Sequence, residues 1–193
     1  MRTRTTTITA LSAVMLLALT GCLGEAAVDT SPKAAASKAA KGDAPAKSKT
    51  TKKEKVAKVG DTLSVTGFQD GEQLDVTLKK WADPVQAAHE FDAPAQGKRW
   101  AAGQFEIVNT GSRVYDDSPT NGVQVADSEG QRFDTWFAEI SAGPQMASAV
   151  KLPKGEKALG WIVFEVPKNS KLTSVQFTMN SGMANEAGQW KLG

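Results

Sequence analysis

The chain has 193 residues, of which 40% are hydrophobic and 23% are charged, and its formal net charge is +2. This length allows one globular domain of ordinary size with further segments beside it, and the single cysteine excludes a framework of intramolecular disulfides. The longest apolar stretch has about a dozen residues and is therefore shorter than the roughly 20 residues that a membrane-spanning helix requires.

The first 21 residues are organised like a bacterial signal peptide. Arg2 and Arg4 form a positively charged n-region, and Ile8 to Leu19 form an apolar h-region. The stretch closes with Leu19-Thr20-Gly21-Cys22, which resembles the lipobox of bacterial lipoproteins. In that family, acyl chains such as palmitate are attached to the cysteine sulfur, and the chain is cleaved before the cysteine. We therefore predict a signal peptide over residues 1–21 and lipidation at Cys22.

Lipidation at Cys22 implies a cellular location. Two or more acyl chains hold a protein stably at a membrane, whereas one chain holds it only marginally. We therefore expect the mature chain to be anchored to the cell membrane on its extracytoplasmic face. The alternative is an ordinary secretory signal followed by a free cysteine, which would leave a lone exported thiol open to oxidation.

Residues 22–58 are predicted to be the lipidated N-terminus and a disordered linker. Ala, Lys, Ser, Thr and Pro dominate this segment and aromatic residues are absent from it, so it cannot bury enough apolar surface to offset the entropy lost on ordering. It carries nine lysines against four acidic residues. Export excludes nucleic acid as a partner. Two alternatives remain: the lysines contact anionic lipid headgroups or anionic wall polymers, or they are simply solvated. We prefer the solvated spacer.

Residues 59–193 are predicted to form one domain, and they carry a net charge of −5. Consecutive apolar residues in Leu159–Val166 indicate a central strand covered on both faces. Elsewhere apolar and polar residues alternate, as is typical of strands that bury one face, over Leu63–Val65, Leu74–Leu78, Ala101–Ile107 and Val175–Phe177. We therefore predict an all-β fold, an antiparallel β-sandwich of about seven or eight strands.

The aromatic residues are the expected core of this domain. Trp100, Trp136, Trp161 and the seven phenylalanines are predicted to be buried, because a buried aromatic or large aliphatic side chain stabilises a fold by about 1.5–3 kcal/mol. Trp81 and Trp190 lie outside the clear alternations. We expect these two to cap a sheet edge or to line a surface groove.

Several stretches of the domain resemble the DUF4352 family: Val59-Gly60-Asp61-Thr62-Leu63, Pro94 to Lys98, Phe105 to Gly111, Pro153 to Glu156, and Gly160 to Pro167. The resemblance implies an immunoglobulin-like sandwich similar to that of the mycobacterial antigen MPT63, in lipoproteins and secreted proteins of Gram-positive bacteria. It implies no catalytic residue, because the family has no defined catalytic motif. The tail from Asn180 to Gly193 lies beyond the resembling stretches, and the role of Trp190 in that tail stays open.

Residues for conventional catalysis are scarce. His89 is the single histidine and no serine lies in a Gly-x-Ser-x-Gly motif, so we expect no enzyme and no catalytic residue. His89, Glu90 and Asp92 are one group of potential metal ligands, but one histidine with loop carboxylates falls short of a zinc site. We therefore predict no metal and no cofactor, and leave open whether this loop binds anything. Tyr115-Asp116-Asp117 lacks the spacing of a calcium loop, and we expect a solvated turn there.

Three kinds of function remain open for the anchored domain. The preferred one is a binding or interaction module for a protein, a glycan or a small ligand. A structural or accessory envelope lipoprotein without a ligand is the close alternative, and an enzyme comes third. A large exposed apolar patch would favour the first, a uniformly polar surface the second, and a cleft with strongly shifted carboxylate pKa values the third.

Overall fold

The computed structural model describes residues 56–193. The predicted signal peptide, Cys22 and the linker up to residue 55 lie outside the described residues. No helix in residues 56–193 is long and apolar enough to cross a membrane. Two helical turns, Pro119–Gly122 and Met179–Gly182, accompany eleven strands: β1 (Ala57–Lys58), β2 (Thr62–Thr66), β3 (Gln73–Ala82), β4 (Lys98–Asn109), β5 (Tyr115–Asp117), β6 (Val123–Asp127), β7 (Arg132–Trp136), β8 (Val150–Leu152), β9 (Lys157–Pro167), β10 (Leu172–Thr178) and β11 (Ala187–Lys191).

Nine strands form one mixed sheet in the order β1-β11-β10-β6-β7-β9-β4-β3-β2, and β5 pairs with β8 separately. Every pairing is antiparallel except that of β1 with β11. The long sheet folds over on itself, so that a Cβ at Gly188 of β11 would lie 3.1 Å from Val65 Cγ1 of β2. The result is the predicted β-sandwich, in which β2, β3, β4 and β9 face β7, β6, β10 and β11.

The number of strands differs from the predicted seven or eight. The difference comes from β1, β5 and β8, which have only two or three residues each. An alternation must run over about four residues before it can be recognised, so such short strands leave no pattern in the sequence. Ala57 of β1 is 3% exposed, and the ordered structure therefore includes the last residues of the predicted linker.

The main core lies between the two halves and consists largely of the alternating residues. Their burial confirms the predicted inward faces of β2, β3, β4 and β10. Each of the following is at most 2% exposed: Leu63, Val65, Leu74, Val76, Leu78, Ala101, Phe105, Ile107, Val175 and Phe177.

Strand β9 lies between β7 and β4, and the run from Gly160 to Phe164 is buried on both faces, which confirms its prediction as a central strand. Leu159, at the start of the predicted run, is 53% exposed. Ile162 and Phe164 project into the main core. Trp161 and Val163 belong to a second hydrophobic cluster on the other face of the sheet. The strand ends at Pro167, which has no N–H to donate to a ladder.

The prediction for Trp190 is wrong. This side chain is 0% exposed and belongs to the main core, where its ring meets Phe105 edge-on with 6.1 Å between centroids. Its Nε1 donates to the carbonyl oxygen of Asp61 at 2.9 Å. The tail from Asn180 to Gly193 is therefore part of the sandwich through β11.

The prediction for the other aromatic residues is partly wrong. Trp100, Trp161, Phe105, Phe164 and Phe177 are buried as predicted, with at most 5% exposure. Four residues predicted for the core are instead in solvent, namely Phe68 at 57%, Phe91 at 90%, Trp136 at 51% and Phe137 at 83% exposure. Hydrophobicity alone does not decide burial, because it does not say which face of a strand or loop is covered by the rest of the chain.

Candidate binding site

Two loops cover the outer face of β4 and β9. Residues 83–97 connect β3 to β4, and residues 137–149 connect β7 to β8. Their apolar side chains pack against those of the two strands and form the second hydrophobic cluster, which we call the outer cluster. Its members are at most 9% exposed: Val85, Trp100, Ala102, Ala138, Ile140, Trp161 and Val163.

Backbone hydrogen bonds join the two loops to each other and to the sheet. Ala88 N donates to Glu139 O at 2.9 Å, and Ala87 and Ile140 form an antiparallel bridge. Met146 N donates to Trp161 O at 2.8 Å. This approach depends on Gly160, because a Cβ there would lie 2.3 Å from Met146 Cα. The loops therefore form a fixed platform on the sandwich.

Arg99 holds the start of the first loop. Its Nε and Nη2 donate to the two carboxylate oxygens of Asp83 at 2.6 and 2.8 Å, and Nη2 also donates to Ser170 O at 2.9 Å. The hydrogen bond to Asp83 is the main reason that the pKa of Arg99 is raised. Such a bidentate pair fixes geometry as well as charge.

Glu165 of β9 holds the end of the same loop. It accepts hydrogen bonds from Ala95 N at 3.1 Å and from Trp100 Nε1 at 3.2 Å, and it pairs with Lys98 at 3.4 Å. Burial by itself raises the pKa of Glu165, but these partners outweigh burial and the pKa is lowered. Glu165 is therefore ionised at neutral pH and positions both the loop and the Trp100 ring.

Three aromatic side chains project from this platform into solvent. We call them the aromatic surface: Phe91, Trp136 and Phe137. Trp136 is paired with Val163 in the β7–β9 ladder, so it lies on the same face as the outer cluster. A group of exposed apolar residues on one face marks an interaction or ligand site, whereas single exposed apolar residues are ordinary.

Two grooves flank the aromatic surface, and Trp136 and Phe137 line both. The first has a volume of about 360 Å³, and its polar groups include Thr135, Gln145 and Ser148. None of the described residues that line it is charged, and we call it the neutral groove. The second has a volume of about 530 Å³, and we call it the acidic groove. Its lining includes Phe91, Trp100, His89, Asp92 and Glu139.

The structure places the predicted His89, Glu90 and Asp92 group in and beside the acidic groove. His89 Nε2 lies 2.9 Å from Glu139 Oε2, and the two side chains are 64% and 60% exposed. Asp92 lines the same groove, while Glu90 is exposed. Among residues 56–193, no group of three or more His, Cys, Asp and Glu residues could hold a metal ion. The group therefore supplies hydrogen-bond acceptors beside the aromatic surface.

A third cavity, of about 480 Å³, lies where the β2–β3, β4–β5 and β10–β11 connections meet. We call it the loop-end groove. Asn180 joins two of these connections, because its Oδ1 accepts from Phe68 N at 3.0 Å and its Nδ2 donates to Glu72 Oε2 at 3.2 Å. Asn180 and Ser181 both have φ of 53°, a left-handed conformation that is uncommon outside glycine.

The expectation that Tyr115-Asp116-Asp117 forms a solvated turn is wrong. These residues form β5, which pairs with β8. Tyr115 is 7% exposed, and burial together with the nearby Asp117 carboxylate raises its pKa. Asp117 accepts hydrogen bonds from Ser118 N at 2.7 Å, Ser181 N at 2.8 Å and Ser181 Oγ at 2.6 Å. Asp116, by contrast, is in solvent and pairs with Lys151 at 3.0 Å.

The aromatic surface is the part of the site that sequence reasoning missed, although one signal for it exists. Trp136 and Phe137 are adjacent in the chain. Neighbouring residues in a strand point to opposite faces, so at most one of two adjacent aromatic rings would enter one core. The pattern does not predict that both rings line the same grooves, because β7 ends at Trp136 and Phe137 lies in the following loop. No such signal indicates the exposure of Phe91, because its loop shows neither the period of two of a strand nor the period of 3.6 of a helix.

Residues 57–187 match the model of the DUF4352 family, a domain of unknown function. The chain belongs to this family. The match confirms the resemblance seen in the sequence of this DUF4352 protein. No curated protein matches the sequence.

Two solved structures share the fold of this DUF4352 protein. MPT63, a secreted protein from Mycobacterium tuberculosis, superposes with a TM-score of 0.51 at 16% identity, over 71% of this chain and 96% of MPT63. YcdA from Bacillus subtilis, a proposed lipoprotein, has a TM-score of 0.52 at 11% identity, over 70% of this chain and 38% of YcdA. The chain thus spans well under half the length of YcdA. The predicted sandwich similar to that of MPT63 is confirmed.

Proposed function

We propose that this DUF4352 protein is a lipoprotein anchored on the extracytoplasmic face of the cell membrane, and that its domain binds a ligand on the aromatic surface. The observation that carries the proposal is the exposure of Phe91, Trp136 and Phe137 on a fixed platform. The outer cluster beneath them is already buried, so the three rings add little to fold stability. Burying one such ring in a complex contributes about 1.5–3 kcal/mol.

The anchoring part of the proposal is supported by the sequence. Leu19-Thr20-Gly21-Cys22 follows a charged n-region and an apolar h-region. The secretion of MPT63 and the description of YcdA as a proposed lipoprotein accord with export. In this proposal Cys22 carries the lipid, and residues 23–56 connect the lipid to the sandwich.

The proposed role is not catalytic. A general acid that works near neutral pH needs a carboxyl pKa raised toward 7. The pKa of Glu106 is lowered by its hydrogen bond with Lys157, and that of Glu165 is lowered by its partners in spite of burial. Both shifts lead away from acid catalysis by these two residues. A structural role without a ligand, in turn, gives no reason for the aromatic surface.

Capture experiments with surface variants test the proposal. The lipid-free chain from Leu23 to Gly193 is immobilised and exposed to the envelope fraction of the producing bacterium. We expect one component to be retained by the wild type and to be lost from Trp136→Ala and Phe137→Ala. Phe68→Ala is the matched control, since Phe68 is 57% exposed but lines the loop-end groove. Equal retention by all four proteins, or by none, would contradict binding at the aromatic surface.

A further inference from the structure

We infer that the ligand of the aromatic surface is a neutral glycan, which lies as an extended chain across Trp136 and Phe137. This inference rests on the proposed function and names the ligand class for the same site. Three observations carry it: the exposed rings, the neutral polar groups in one groove, and the position of the carboxylates in the other.

The rings match the shape of a sugar. A pyranose has an apolar face of C–H groups and a perimeter of hydroxyls, so it stacks on a flat aromatic ring while its edges still need hydrogen-bond partners. Trp136 is 51% exposed and is held in the β7–β9 ladder. Its backbone is therefore held in the sheet, with part of the indole open to a ligand. Phe137 and Phe91 add two further rings, each more than four-fifths exposed.

The grooves supply the hydrogen-bond partners. Because Trp136 and Phe137 line both grooves, one ligand can cross from one groove to the other over these two rings. In the neutral groove, Ser148 offers a hydroxyl, and Gln145 offers an amide whose Nε2 also donates to Ala138 O. In the acidic groove, Glu139 offers a carboxylate whose Oε2 already pairs with His89 Nε2 at 2.9 Å. The other carboxylate oxygen can still form the stronger, charge-assisted hydrogen bonds with hydroxyl donors.

The charges disfavour other classes of ligand. No described residue that lines either groove is Lys or Arg, although anionic headgroups and polyanions are recognised by such residues. The centres of protein interfaces are enriched in aromatic residues, Met and Arg and depleted in Asp, Glu and Ser. The rings and Met146 would therefore also fit a protein, and it is the carboxylates that favour a glycan. Here Asp92 and Glu139 share one groove with Phe91 and Phe137. This mixture of carboxylates and rings suits a ligand rich in hydroxyl donors.

The probe for the experiment is the polysaccharide fraction of the same envelope, freed of protein by protease and of lipid by solvent extraction. Binding to the lipid-free chain from Leu23 is measured by titration calorimetry. We expect saturable binding that is abolished when the vicinal diols of the polysaccharide are first cleaved with periodate. Trp136→Ala and Phe137→Ala should each weaken binding by about tenfold or more. Phe68→Ala should leave the affinity within about twofold of the wild type.

A second variant tests the charge of the ligand. Glu139→Gln keeps the size of a side chain that is 60% exposed and keeps an oxygen that can contact His89, so we expect little effect on the fold. We expect binding to weaken by about threefold or more, because the charged acceptor is lost. Tighter binding by this variant would mean an anionic ligand and would overturn the inference.

The outcomes separate this inference from the proposed function. A retained envelope component that survives periodate and is destroyed by protease would overturn the glycan, while the binding function would stand. Unchanged affinity of the polysaccharide for Trp136→Ala and Phe137→Ala would overturn the glycan assignment at this surface. Retention of nothing from the whole envelope would overturn both.

Discussion

Phe164 of β9 is 0% exposed and lies 6.1 Å, centroid to centroid, from the Trp81 ring. We expect Phe164→Ala to reduce the free energy of unfolding by about 3–5 kcal/mol, because a rigid core cannot refill the space. Glu106→Ala is the control on the neighbouring strand. The Glu106 side chain is 20% exposed and pairs with Lys157 at 3.1 Å, so its loss should cost at most about 1 kcal/mol. Equal midpoints in urea unfolding would show that the two faces have been misassigned.

A second prediction at the scale of a residue concerns the pH dependence of stability, which follows from the lowered pKa of Glu165. A carboxyl group with a folded pKa below its unfolded value of about 4.3 contributes stability above that pH. The contribution is lost as the pH falls through the folded pKa. We therefore expect Glu165→Gln to be less stable than the wild type at neutral pH, with a difference that shrinks below about pH 4. Urea midpoints across this range measure it, and a difference independent of pH would contradict the assigned role.

At the scale of elements, β5 and the turn 179–182 depend on one carboxylate. Asp117→Ala leaves Ser118 N and both donors of Ser181 without their acceptor, which should cost about 1.5–3 kcal/mol. Asp116→Ala is the adjacent control, because the Asp116 side chain is 63% exposed and pairs only with Lys151 among the described residues. That variant should lose less than about 1 kcal/mol. Thermal unfolding of the two variants measures both losses of stability. Equal losses would mean that Asp117 does not hold the turn.

The other prediction at this scale concerns the contribution of strand β11 to stability. Trp190→Ala removes a fully buried ring and its hydrogen bond with Asp61, at an expected cost of about 3–5 kcal/mol. Trp136→Ala, which removes a ring that is 51% exposed, should change the stability by less than about 1 kcal/mol. Denaturant midpoints compare the two tryptophans directly. A small effect for Trp190→Ala would mean that the tail is dispensable.

At the scale of the whole molecule, location depends on Cys22. We expect Cys22→Ala to leave the membrane fraction for the medium, or to accumulate as an unprocessed precursor, because the acyl anchor cannot form. Ser31→Ala, a change beyond the lipobox, is the control and should stay with the membrane. Fractionation gives the location of each variant, and mass spectrometry of the N-terminus shows whether the chain is cleaved and acylated. Membrane retention of a correctly cleaved but unacylated Cys22→Ala chain would contradict lipid anchoring.

The alternation of apolar and polar residues was enough to predict the fold class and the inward faces of the longer strands. Leu74, Val76 and Leu78 alternate with polar neighbours, and all three are buried. This inference works because the period of two is a property of the extended backbone and needs no knowledge of distant segments. The run from Leu159 to Val166 likewise indicated a strand covered on both faces, and β9 is that strand.

The tertiary structure alone decided which parts of the chain cover one another. Asp117 meets Ser181 across 64 residues, and Trp190 donates to Asp61 across 129 residues. Trp136 is 51% exposed, whereas Trp161 and Trp100 on the same face of the sheet are buried in the outer cluster. Burial of a side chain depends on the segments folded against it, and composition and local periodicity carry no information about such distant partners.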